Sequence, residues 1–378
     1  MINRTLIILF ILANFTIVEA FSEEKEKTKI ISGNISTSLF DDYVYESDTA
    51  DNGYNKISAE IFMNLRVRLN ENFAVRSALQ LKDIRKNPLP ADYQKSSEFA
   101  HQGIILERLA LDYNYKDFSF EAGKFIVDFG QAWLWQNGIW GYNFAEDQYR
   151  IAEKLGVNAS FELGNIKTYG RYIFTLSSFT NDTKNLDNTL ITKRDDTANV
   201  GGNPGDERGL TSYAMSLDVK YEFSEKEQLS YHFSYLNLAV NRRQSTVTTG
   251  NIRDQTGFAA NINYKYRFSE VLAADGLLEY ISFNNFGGNV YKDTNFIDAN
   301  LMLNIYQNWR LIITHARKAE IESYANGTNT IFNEISFGYK FNNGLSILLG
   351  HRKDIVDNKI TAKKNDTVGL VIRYVGAF

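Results

Sequence analysis

The chain of 378 residues contains no cysteine. That excludes a disulfide scaffold and any thiolate metal site. Proline is nearly absent, with only Pro88, Pro90 and Pro204. A backbone whose N–H groups are mostly committed to β-ladders has little use for a residue that donates none. The four histidines, His101, His232, His315 and His351, are dispersed. No HExxH run, nucleotide-binding glycine motif or close carboxylate cluster is present. The net charge is only −4, which offers nucleic acid no electrostatic footing. After the first residues, no run approaches the roughly 20 apolar residues of a spanning helix. No linker or composition shift divides the chain.

What the chain does have begins with one early apolar stretch. Residues 1–20 read as a secretory signal, with Arg4 before a mostly apolar core over 5–18. Val18 and Ala20 stand at the third-last and last positions of the expected cleavage site. Residues 21–28 form a charged lead-in, and residues 29–378 are expected to make one domain.

Period-two alternation then recurs to the end. Ile57, Ala59, Ile61, Met63 and Leu65 alternate with Ser58, Glu60, Asn64 and Arg66. Tyr213, Met215, Leu217 and Val219 do the same around Ser216, Asp218 and Lys220. Each run has one apolar and one polar face. Connections alternate in length. Short ones fall at 70–72, 116–117, 164–165, 224–227, 269–271, 307–308 and 342–343. Long ones fall at 46–56, 85–102, 128–149, 178–209, 240–255, 284–293, 322–329 and 354–365. The expectation is an all-β fold: a transmembrane antiparallel β-barrel of about sixteen strands, with short periplasmic turns and long extracellular loops. Aromatics crowd beside the short turns, as in Tyr113, Tyr115, Phe118 and Phe120, which suggests an interfacial girdle.

The long segment 128–149 is unusual. It carries Trp133, Trp135 and Trp140, three of the chain's four tryptophans. A loop in water has little reason to display such rings. The expectation is that it folds into the lumen, with Gly130, Gly138 and Gly141 supplying the bends.

A barrel of this size encloses water. Its wall candidates are Arg66, Arg68, Arg76, Arg108, Lys154 and Arg171 on polar faces. The loop adds Asp128, Glu146 and Asp147, its acidic tip expected to face Arg66, Arg76 and Arg171. Opposed charges of this kind set a transverse field across a narrow pore. The same charges serve equally well to solvate a wide lumen. Glu107 breaks the scheme, because its parity with Leu109 and Leu111 points it at lipid. A bulge between Leu106 and Arg108, or a subunit interface, resolves this. His232 between Ser230 and Ser234 admits a hydrolase reading, but such a row arises on almost any polar strand. Calcium in the acidic segment 178–209 lacks regular ligand spacing.

The last strand sharpens the reading. Leu370, Ile372, Tyr374 and Phe378 share a face, and the chain ends on the aromatic. This resembles the assembly signal of bacterial outer-membrane barrels. The strand pattern, with its aromatic third long loop, resembles the Gram-negative outer-membrane porin superfamily over the whole mature chain. Gly123-Lys124 before Phe129-Gly130 is similar to the porin strand leading into the constriction loop, which implies that Lys124 belongs to the constriction. The resemblance implies a diffusion channel for small polar solutes and ions, with no enzymatic activity, cofactor or metal. It implies outer-membrane lipid and the barrel assembly machinery as partners, with association as homotrimers. Two other readings remain. Trp133, Trp135, Trp140, Tyr142 and Phe144 form a stacking track for sugars in one. The other is a plugged barrel acting as an adhesin or structural protein.

Overall fold

The computed structural model describes residues 29–48, 53–84, 96–135, 137–180, 209–240, 252–323 and 327–378. The expected signal and lead-in lie outside them, as does most of the segment 178–209. Sixteen long strands run in chain order. They are β1 (Ile31–Ser47), β2 (Tyr54–Arg68), β3 (Phe73–Asp83), β4 (Gln102–Tyr115), β5 (Phe118–Phe125), β6 (Lys154–Asn165), β7 (Gly170–Thr180) and β8 (Ser212–Ser224). Then come β9 (Glu227–Leu238), β10 (Gln255–Arg267), β11 (Leu272–Asn284), β12 (Lys292–Ile305), β13 (Trp309–Glu322), β14 (Asn329–Lys340), β15 (Leu345–Asp357) and β16 (Ala362–Ala377). Each pairs antiparallel with its chain neighbours, and β1 pairs with β16 to close the barrel. A two-residue bridge, Ser97–Glu98, runs parallel to β2.

Alternation decides the two faces. Leu109, Phe174, Leu176, Leu278, Ile313 and Leu349 are exposed outward, while inward neighbours such as Ala110, Thr175, Leu277 and Thr314 are buried. An outward apolar band over a polar interior suits a strand that crosses lipid. Rings beside the short turns contact each other across strands, as in Phe73–Tyr113, Trp309–Tyr339 and Tyr339–Phe341, with centroids 4.8–4.9 Å apart.

The bulge resolves Glu107. Ala78 pairs with Arg108 and Leu79 with Leu106, so Glu107 is the extra residue in β4. Glu107 and Arg108 therefore both leave the lipid face. Glu107 is buried in the interior, and its parity supplies no argument for a subunit interface.

At the seam, Phe378 exchanges backbone hydrogen bonds with Gly33, at 2.9 and 3.1 Å. Its ring lies where a side chain on Gly33 would stand.

Candidate functional site in the lumen

Between β5 and β6 the chain leaves the wall. Two short helices interrupt it, α1 (Ala132–Trp135) and α2 (Gly141–Tyr149). The segment starts against β8 and β9, where Asp128 accepts from Ser216 and the Gly130 N–H reaches Ser234 Oγ at 3.4 Å. It then meets β11. Glu279 accepts the N–H of Gln131 at 2.5 Å and of Ala132 at 3.0 Å.

Farther on, Asn137 bonds Asn300 of β12. Glu334 of β14 then receives three consecutive N–H groups, from Ile139, Trp140 and Gly141, at 2.6–3.0 Å. Those are donors that the start of a helix leaves open, and no side chain local to α2 caps them. A carboxylate from the wall does so instead, where the helix dipole also favours negative charge.

Trp140 Nε1 donates to both oxygens of Asp42 on β1, at 3.0 and 3.1 Å. The Tyr142 hydroxyl reaches Glu60 on β2. Glu146 meets Lys82 of β3 at 2.5 Å. Arg150 grips Glu107 of β4 in a two-pronged pair at 2.7 and 2.9 Å, and also holds Glu146 at 2.9 Å. Tyr149 hydroxyl crosses to Glu279 and Asp298, at 2.7 and 2.8 Å. The segment thus touches strands all round the barrel.

Apolar packing completes this. Phe129, Ala132, Ala145 and Tyr149 join a buried cluster with Phe179, Leu236, Ile281, Phe283 and Phe296. Ile139 and Trp140 join another with Phe40, Phe332, Leu348 and Val371. Two glycines are required by conformation. Gly130 has φ +64° and Gly138 has φ +113°, and a side chain on Gly138 would collide with the Glu334 carboxylate. Gly141 has no positive φ among the described residues; it opens α2.

The receiving wall is a belt laid out by register. Asp218, His232, Asn261, Glu279 and Asp298 stand directly opposite one another on β8 to β12. A cavity of about 490 Å³ lies beside it, lined by Arg66, Arg76, Arg108 and Arg171 with Asp112, Glu121 and Glu162. Asp128, Gln131 and Trp133 contribute from the loop, and Asp218 from the belt.

The expected charge pairing is different in detail. Arg76 pairs with Asp112 and Glu121, Arg108 with Glu121, and Arg171 with Glu162. The partners of Glu146 are Lys82 and Arg150 instead, because the acidic end of α2 reaches β3 and β4. Burial pushes the Glu146 carboxyl up, but Lys82 and Arg150 outweigh it and hold it down at about 2. Asp147 remains exposed. Burial, with Asp218 beside it, raises Asp128 to about 6 against the pull of His232.

Lys124 stands opposite Leu109 and Leu155, on the outward parity, and pairs with Glu153 at 3.0 Å. It is not among the residues lining the cavity, and neither is the buried Lys154. The rings of the expected stacking track each have contacts of their own. Trp140 and Tyr142 are tied to Asp42 and Glu60, and Arg150 covers Trp133 at 4.7 Å.

No protein-family model matches the sequence, and no curated protein does. Solved structures match its shape. OprB of Pseudomonas putida superposes with a TM-score of 0.60 at 9% identity, over 93% of this chain and 95% of that one. The outer membrane channel DcaP of Acinetobacter baumannii gives 0.55 at 11% identity, over 91% and 96%. The anion-selective porin from Comamonas acidovorans gives 0.51 at 10%, over 91% and 98%. The chain has the porin fold. In that fold the residues that sequence reasoning missed are the receivers of the loop: Asp42, Lys82, Glu279, Asp298 and Glu334. One signal was available. Glu279 shares a face with Leu277, Ile281 and Phe283, so it is a charge in an apolar row, whereas Glu334, beside Thr330 and Ser336, gives no such signal. Such a charge is tolerated only with committed partners.

Proposed function

We propose that the protein is a passive diffusion channel of a bacterial outer membrane. The inward third long loop narrows its lumen and sets which small polar solutes and ions pass. The observation that carries this reading is the ring of hydrogen bonds from 128–150 to strands on all sides of the barrel. A segment so tethered occupies cross-section that solute would otherwise use. The outward apolar band supports a lipid surroundings.

The cavity beside the loop supports the solute class. Arg66, Arg76, Arg108, Lys116 and Arg171 make five basic residues, against six acidic ones, Asp112, Asp117, Glu121, Asp128, Glu162 and Asp218. Near-balanced charge of both signs acts on dipolar solutes as well as ions, where a single-sign ring selects one ion. The test is liposome swelling with neutral sugars, amino acids and carboxylates of graded size. A size-limited series across all three classes supports a general channel. Swelling by sugars alone supports the saccharide reading, for which Trp133 and the exposed Trp135 are the remaining rings. No swelling at all supports the plugged barrel.

The assembly role of Tyr374 and Phe378 belongs to the same proposal. The Phe378 ring packs over Gly33 at the seam with β1, so Phe378→Ala removes that contact while keeping the backbone bonds, and lowers the yield of heat-modifiable barrel while synthesis stays unchanged.

A further inference from the structure

We infer that Asp128, Asp218 and His232 form a binding site for a divalent transition-metal cation, Zn²⁺ being the natural probe. The site sits where the inward loop leaves the wall, and it joins that loop to β8 and β9.

The three residues come from distant parts of the chain. Register sets His232 directly opposite Asp218, and the start of the loop brings Asp128 onto the pair. One ligand atom from each lies within 4.8 Å of the other two. A tetrahedral ion that takes oxygen and nitrogen at about 2.0–2.2 Å holds its donors roughly 3.3–3.6 Å apart, so closure of at most about 1.5 Å at the widest pair completes the site.

The imidazole is already oriented as a ligand. His232 is fully buried. Its Nε2 lies 3.0 Å from Ser234 Oγ, and its Nδ1 lies 2.9 Å from Asp218 Oδ1. In the ion-free site Nδ1–H donates to the Asp218 carboxylate; a cation takes the place of that proton, and Ser234 Oγ then accepts Nε2–H. Holding the far nitrogen in this way is how proteins fix a metal-binding tautomer. The carboxylates are held too, Asp128 by the Ser216 hydroxyl and Asp218 by Gln131 Nε2 at 2.5 Å.

The same Ser234–His232–Asp218 line has the order of a hydrolytic triad. Its serine is the wrong residue for that work, being buried and further occupied by the Gly130 N–H. The accessible side of the group is the carboxylate side. Asp128, Asp218 and Gln131 line the cavity, so water can complete a coordination shell there. Two carboxylates with one imidazole suit Zn²⁺ or a similar borderline ion, whereas Ca²⁺ and Mg²⁺ take oxygen-rich shells.

The experiment is calorimetric titration of Zn²⁺ into the full-length protein, folded in detergent and stripped with chelator, with Ca²⁺ as the comparison. The expected result is one Zn²⁺ per chain, at least tenfold tighter than Ca²⁺. Affinity falls at least tenfold in both Asp128→Asn and His232→Gln. Asp128 lies outside the strand ladder, so its variant still folds if His232→Gln does not. Co²⁺ supplies a second readout, a visible absorption band in the wild type that Asp128→Asn removes. Absence of Zn²⁺ binding overturns the inference. So does stoichiometric binding that Asp128→Asn leaves unchanged, which places the ion elsewhere. Neither result depends on whether the barrel conducts.

Discussion

Glu334 and Glu279 each hold several loop donors with a single carboxylate, and the consequences of losing either are specific. Glu334→Ala leaves the Ile139, Trp140 and Gly141 N–H groups without their partner in a buried place. A buried donor left unmade costs about 1–3 kcal/mol. The expected outcome is a loosened loop with larger open-channel current noise, while the barrel still forms. Quiet current identical to the wild type contradicts the anchoring role. Glu146 carries the pH dependence. Its carboxyl is held at about 2, below its ordinary 4.5, so its contribution is fully present above about 4.5 and fades as pH falls through about 2. The part of the conductance that Glu146 sets is therefore flat from pH 8 to pH 5 and changes only in strong acid, which separates it from Asp128, whose carboxyl is raised to about 6. Lys82→Met removes the leading cause of the depression and moves that transition to higher pH. A midpoint that stays put in the variant counts against the Lys82–Glu146 clamp. On the proposed function, the selectivity effect of the loop tip is expected from Asp147, which is exposed while Glu146 is committed to Lys82 and Arg150. Asp147→Asn shifts the reversal potential in a salt gradient toward anions.

At the scale of elements, the bulge in β4 is the most informative irregularity. It turns Glu107 inward to meet Arg150, and both side chains are at most 5% exposed. Deleting Glu107 restores unbroken alternation and leaves Arg150 buried without its two-pronged partner. Breaking a buried pair from one side costs about 3–5 kcal/mol. The expected result is a clear fall in heat-modifiable barrel, with Glu107→Gln falling less because the bulge survives. Equal yields from the deletion and the wild type contradict this. The strands themselves were legible in the sequence, since one buried and one lipid face impose period two, and Leu109 or Phe174 shows its side by parity alone. The bulge was legible only as the anomaly at Glu107. The side that Lys124 takes was not legible, because Gly123, with φ +136°, marks irregular backbone just before it, and its partner Glu153 lies across the whole loop. The loop's receivers were hidden for a different reason. Asp42, Lys82, Glu279 and Glu334 lie on strands separated by up to hundreds of residues, and only barrel closure brings them round one segment.

Across the whole molecule, the lumen has two kinds of lining. Apolar clusters grip the loop on two sides, and the mixed-charge cavity lies between the wall and the loop's start. The wall carries its own acid–base pairs, Arg76 with Asp112 and Arg171 with Glu162, so its field does not depend on the acidic end of α2. Loop and wall can therefore be separated experimentally. Single-channel recording in a planar bilayer compares the full chain with one in which a short glycine–serine link replaces residues 130–148. Sixteen strands closed without that segment enclose a wide aqueous pore. The account predicts a several-fold rise in single-channel conductance and weaker ion selectivity in the shortened chain. Conductance and selectivity both unchanged from the full chain contradict it, because the segment then does not set the bottleneck.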